Sequence, residues 1–89
     1  MVRHISILVS GKVQGVFFRA TTKAKADELG IKGIARNQPD GRVYIEAEGD
    51  PVRLSEFESW CKQGPPGARV ERIDVIGGDV KYFSDFSIQ

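Results

Sequence analysis

Near its start the apolar pattern of the chain changes period, from alternation to helical spacing, and the change falls across Gly11–Arg19. Upstream, in His4-Ile5-Ser6-Ile7-Leu8-Val9-Ser10, Ile5, Ile7 and Val9 share one face, as in a strand rich in β-branched residues. Downstream, from Ala20 to Leu29, alanine and lysine dominate, and both favour helix. Ala20, Ala24 and Glu28 recur at a spacing of four, and Ala26 with Leu29 widens the stripe expected to pack. Gly30 is expected to end the helix. Gly11–Arg19 is therefore a turn that leaves a strand and enters a helix.

Such a turn carries chemistry. The first N–H groups of a helix have no intrahelical acceptor, and the helix dipole adds partial positive charge there. Gly11 and Gly15 let backbone approach a ligand closely. Arg19 supplies a planar cation whose fork matches phosphate oxygens. Together these residues read as an anion cradle with a clamp. The spacing is not that of the Gly-Lys-Ser/Thr phosphate loop, nor of the three-glycine dinucleotide fingerprint.

The rest of the chain supplies a sheet and a second helix. Ile31 to Arg36 is a second strand, and Asn37-Gln38-Pro39-Asp40-Gly41 is a turn with fitting residues. The next strand alternates, with Val43, Ile45 and Ala47 inward and Arg42, Tyr44, Glu46 and Glu48 outward. Asp50-Pro51 opens a helix by capping chemistry, with Leu54, Phe57 and Cys61 as its buried stripe and Trp60 beside them. Gly64-Pro65-Pro66-Gly67 ends it. Val70 to Ile76 is a strand whose apolar phase shifts between Val70 and Ile73, which predicts a bulge or strong twist. Gly77-Gly78-Asp79 is a turn, and Phe83 to Ile88 a short last strand. The order βαββαβ plus a short C-terminal strand predicts an α+β fold. This is the split βαβ, ferredoxin-like sandwich, an antiparallel sheet with two helices on one face.

Composition limits function. With 89 residues the expectation is one domain, residues 1–89, with one small core. Thirteen basic against twelve acidic residues give a formal charge of +1, too weak a field to suggest nonspecific nucleic-acid or membrane binding. The one cysteine, Cys61, excludes an internal disulfide and a multi-cysteine metal site. A free thiol fits a reducing cytoplasm, the expected location. The apolar run from Ile5 to Val9 is too short for a signal peptide, and no stretch approaches transmembrane length.

Topology brings Asn37 to the cradle. The first two strands are joined through a helix and run parallel, so the end of the second lies on the rim that carries Gly11–Arg19. A carboxamide there can face an anion held in the cradle. Val13-Gln14-Gly15-Val16-Phe17-Phe18-Arg19, with Asn37-Gln38-Pro39-Asp40-Gly41-Arg42-Val43, resembles the acylphosphatase family, which combines V-Q-G-V-x-F-R with N-x-x-D-G-x-V. Gly64-Pro65-Pro66-Gly67-Ala68-Arg69-Val70 is similar to its third stretch, G-P-x-x-A-x-V. The likeness spans nearly the whole chain, with no departure at a position the family uses for function.

The resemblance implies metal-independent hydrolysis of the carboxyl-phosphate bond of small acyl phosphates by a directly attacking water, with no phosphoenzyme and no cofactor. Its phosphate-binding arginine maps onto Arg19 and its water-orienting asparagine onto Asn37. The backbone cradle maps onto Gln14, Gly15, Val16, Phe17, Phe18 and Arg19, where phosphate or sulfate is expected to fit. Asp40 and Gly41 are expected to shape the hairpin that positions Asn37, and Lys12 and Lys23 flank the cradle. A monomer is expected, with no nucleic-acid or membrane partner. Two other readings stay beside this one. An RNA-binding module shares the sandwich but would need exposed aromatics on the third strand, which offers Tyr44 between Arg42 and Glu46. A catalytically idle anion sensor would keep the fold, and intact Arg19 and Asn37 argue against it. A domain excised from a larger maturation enzyme is a related possibility, against which the Met start and the terminal strand favour a free-standing protein.

Overall fold

The computed structural model describes all 89 residues, Met1–Gln89. In chain order the elements are β1 (Arg3–Lys12), α1 (Phe18–Leu29), β2 (Lys32–Asn37), β3 (Val43–Gly49), α2 (Pro51–Gln63), β4 (Arg69–Gly78) and β5 (Phe86–Ile88). They build the ferredoxin-like sandwich, with sheet order β4-β1-β3-β2-β5. Each neighbouring pair among the first four of these strands is antiparallel, and β5 joins the edge of β2 in parallel, with Ala35 opposite Ile88.

Register follows the apolar alternation. Ile5, Ile7 and Val9 of β1 lie opposite Ala47, Ile45 and Val43 of β3, so one face of the sheet is apolar across both strands. On the other side of β1 the register slips. Ser10 faces Arg72 and Gly11 faces Val70, leaving Glu71 as the extra residue of a bulge. The phase shift expected in this strand has that origin. Gly11 lies at φ 128°, and a Cβ there would come within 2.1 Å of Arg69 O, so the bulge admits only glycine.

Both helices cover the apolar face. Asp50 Oδ1 accepts from the N–H groups of Val52 at 3.0 Å and Arg53 at 3.1 Å, and Pro51 takes the first helical position, as its chemistry requires. Leu54, Phe57 and Cys61 are buried by α2. The Phe57 ring meets Phe86 of β5 edge-on at 6.1 Å. In α1 the buried residues are Phe18, Thr22, Ala26 and Leu29. The expected row of Ala20, Ala24 and Glu28 is instead exposed. The helix begins at Phe18, and the large ring fixes which face turns inward. Thr22 follows it down because its hydroxyl donates to Phe18 O at 2.7 Å, which removes the cost of hiding a polar group.

The opposite face of the sheet is less open than alternation suggests. Glu46 and Glu48 do point away from the core, but only 6% and 2% of their surface is exposed, because the segment between β4 and β5 crosses over them. Glu48 accepts from the backbone N–H groups of Lys81 and Phe83, and from His4 Nδ1 at 2.7 Å. Glu46 Oε1 forms an ion pair with Lys81 Nζ at 2.7 Å, and His4 Nε2 lies 3.2 Å away. Burial works to raise the Glu48 pKa, yet the hydrogen bonds from Lys81, His4 and Phe83 bring it below its ordinary value. No helix is long and apolar enough to cross a membrane.

Candidate functional site

Because β1 and β2 both run antiparallel to β3, their C-terminal ends reach the same rim of the sheet. The loop from β1 to α1 and the turn from β2 to β3 therefore meet there. Between them lies a cavity of about 270 Å³, lined among others by Gln14, Gly15, Phe17, Arg19, Asn37 and Ile88. A larger depression of about 720 Å³ lies along α2 near Pro51 and Trp60 and contains none of these residues. The smaller space is the one where the loop after β1, Arg19 and Asn37 meet.

The loop presents donors. None of the N–H groups of Gln14, Gly15, Val16 or Phe17 finds an acceptor in the chain. The first α-helical bond is donated by Thr21 N to Phe17 O at 3.0 Å, so the amides of Phe18, Arg19 and Ala20 belong to the free first turn of α1. Two residues bend the loop into left-handed backbone, Gly15 at φ 73° and Phe17 at φ 58°. Glycine adopts that conformation without strain and phenylalanine does not. Phe17 is held in it by its own carbonyl, which accepts from both Thr21 N and Thr21 Oγ1.

Arg19 is half-buried, and its Nη1 donates to the main-chain oxygen of Gln89 at 2.6 Å. That single contact anchors one arm of the guanidinium beside the end of β5. The fork keeps donors to spare, since a guanidinium carries five. Asn37 ends β2 with its side chain exposed and making no hydrogen bond to the protein. The turn after it is tightly built. Asp40 accepts from Arg42 N at 3.1 Å and from Arg42 Nε at 2.8 Å, and Gly41 takes φ 94°. The side-chain hydrogen bond from Arg42 holds the Asp40 carboxyl below its ordinary pKa.

Of the residues expected at this site, Gln14, Gly15, Phe17, Phe18, Arg19 and Asn37 line one cavity. Val16 contributes no side chain to it, since that side chain packs against the core. Phe18 is itself almost fully buried, so its share of the wall is small. Two contributions depend on contacts between residues far apart in the sequence. Gln14 does more than lend an amide, because its Nε2 donates to Gln38 O at 2.7 Å and Arg42 O at 3.0 Å across the facing turn. Ile88 supplies an apolar wall from β5, which no spacing along the chain reveals. Lys23 is engaged elsewhere, with Asp27 Oδ2 at 3.0 Å and Phe86 O at 2.9 Å. Cys61 is fully buried in the core, and burial first, then the charge of Glu58, pushes its thiol pKa far up. Tyr44, the aromatic that an RNA-binding sheet would bare, lies under the Arg36 guanidinium at 4.7 Å.

The comparisons with known proteins agree along the whole chain. The Acylphosphatase family model matches residues 5–88. An acylphosphatase of Ligilactobacillus salivarius is 54% identical over 87 residues, covering 97% of each chain. The crystal structure of an acylphosphatase from Bacillus subtilis superposes with a TM-score of 0.95 at 37% identity, covering 100% of this chain and 99% of that one. The structure of an acylphosphatase from Coxiella burnetii does so with a TM-score of 0.96 at 36% identity, covering 99% and 93%.

Proposed function

The chain belongs to the acylphosphatase family, hydrolases acting on acyl phosphates, and from that premise we propose that the cavity between Gly15 and Asn37 is its active site. The observation that carries this reading is the run of unpartnered amides from Gln14 to Phe17, facing a free carboxamide at Asn37. Phosphate oxygens accept from the loop and from the first turn of α1, and Arg19 adds its charge and fork. Asn37 accepts a hydrogen bond from the attacking water and aims it in line with the bond to be broken.

The substrate explains why so few residues suffice. The leaving group is a carboxylate, whose conjugate acid has a pKa of roughly 4 to 5 by analogy with carboxyl side chains, so it departs without a general acid. Phosphoryl transfer depends chiefly on positioning and on offsetting charge. Water adds to phosphorus, the bond from phosphorus to the acyl oxygen breaks, and its electron pair leaves with the carboxylate. The water's proton passes to an oxygen of the transferring phosphate, and the products are a carboxylate and inorganic phosphate. In this scheme residues 1–89 act as one domain and one monomer, without a metal.

Hydrolysis of benzoyl phosphate in the presence of chelator tests the scheme. Wild type should turn over rapidly, and Asn37→Ala should lose about 100-fold or more in kcat while still binding inorganic phosphate. Near wild-type turnover by Asn37→Ala would remove the water-positioning role. Absence of hydrolysis by the folded wild type would leave the cavity an anion sensor.

A further inference from the structure

The mouth of the cavity is apolar in a way that phosphate does not require. Phe17 is 83% exposed and Ile88 43% exposed, and both line the space that holds Arg19 and Asn37. The Phe17 ring takes no part in the core and stacks on no other aromatic ring. Its backbone is left-handed at φ 58°, a conformation that glycine would adopt without strain. The cradle itself uses only main-chain groups at this position. A phenylalanine therefore stands where the turn would be easier without one, and its ring is left over water at the entrance.

We propose that Phe17 and Ile88 form the subsite for the acyl group, and that the enzyme favours acyl phosphates with a flat aromatic or bulky apolar acyl group. This rests on the reading of the same cavity as the phosphate site. With phosphate oxygens against the loop amides, the carbonyl carbon and its substituent point outward. There an aryl ring lies against Phe17 in offset or edge-on contact and covers the Ile88 side chain. A methyl substituent is too short to remove comparable apolar surface from water. Discrimination by this subsite arises at the rim, and substitutions there leave unchanged the ease with which each carboxylate departs from phosphorus.

The test is a ratio. Specificity constants kcat/KM for benzoyl phosphate and acetyl phosphate are measured for wild type, Phe17→Gly, Phe17→Tyr and Ile88→Ala. Wild type should favour benzoyl phosphate, and the benzoyl-to-acetyl ratio should fall about tenfold in Phe17→Gly. Ile88→Ala should lower it less, and Phe17→Tyr, which keeps the ring, should preserve it. Any change in the cradle common to both substrates cancels in the ratio. If Phe17→Gly fails to fold, the Ile88→Ala and Phe17→Tyr ratios decide. Ratios that stay at the wild-type value in both Phe17→Gly and Ile88→Ala overturn the subsite while leaving the enzyme intact. A folded wild type that hydrolyses neither substrate overturns the underlying reading as well.

Discussion

Gln14 Nε2 donates to Gln38 O at 2.7 Å, joining the loop after β1 to the turn after β2. The same nitrogen reaches Arg42 O at 3.0 Å, and Gln38 N in turn donates to Arg42 O at 2.8 Å. One carboxamide thus holds the two halves of the proposed active site at a fixed separation. Asn37 precedes Gln38, so its position depends on that tie.

Replacing Gln14 by leucine keeps the bulk and removes both donors. We expect kcat for benzoyl phosphate to fall roughly 10- to 100-fold, the scale of a small misplacement of a catalytic group. Inhibition by inorganic phosphate should weaken much less, because the loop amides remain. An unchanged kcat would show that Asn37 keeps its place without the tie.

Arg19→Lys retains positive charge but loses the planar fork and the anchor on Gln89 O. Its kcat/KM should drop by about 100-fold or more, with weaker inhibition by phosphate. Kinetics equal to wild type in a folded variant would refute the clamp.

Glu48 makes stability depend on pH in a defined direction. Its folded pKa is lowered from the ordinary 4.5, so the folded state holds the proton more weakly than the unfolded chain does. The stabilisation is therefore fully present above pH 4.5 and is lost as pH falls through the lower folded value. Glu48→Gln should be less stable than wild type by about 2 kcal/mol at pH 7, the scale of hydrogen bonds to a buried charge. Denaturant midpoints at pH 7, 5, 4 and 3 should show this gap narrowing at the acid end. A gap that stays constant would mean that the carboxylate's charge contributes nothing.

Much of the fold was legible because local chemistry and global pattern agree. Asp50-Pro51, Gly30 and the alternation of Val43, Ile45 and Ala47 each act within a few residues. Even the bulge at Glu71 was visible as a broken phase. Small alanines at regular spacing in α1 resemble a packed stripe, whereas Phe18 and the self-satisfied Thr22 decide which face turns inward. The coverage of Glu46 and Glu48 could not be read from β3, since what buries them comes from the segment around Lys81 and Phe83. The site divides the same way. That Gly15, Arg19 and Asn37 line one cavity follows from their turn chemistry and the shared rim. The side-chain role of Gln14 and the wall supplied by Ile88 depend on contacts distant in sequence, which no spacing encodes.

The position of β1 in the sheet governs how the chain reaches its native state. Ile7 pairs with Ile45 on one side and with Val75 on the other, so the strand made first in sequence gains neither neighbour locally. Long loops must close before those pairings reward the chain, and proteins dominated by such contacts fold slowly for their size. Until then both edges of an apolar strand stand open to any other chain that offers a partner. Refolding yield should therefore fall as protein concentration rises, and the hairpin of β2 and β3, whose partners are close in sequence, should gain amide-exchange protection before β1 does.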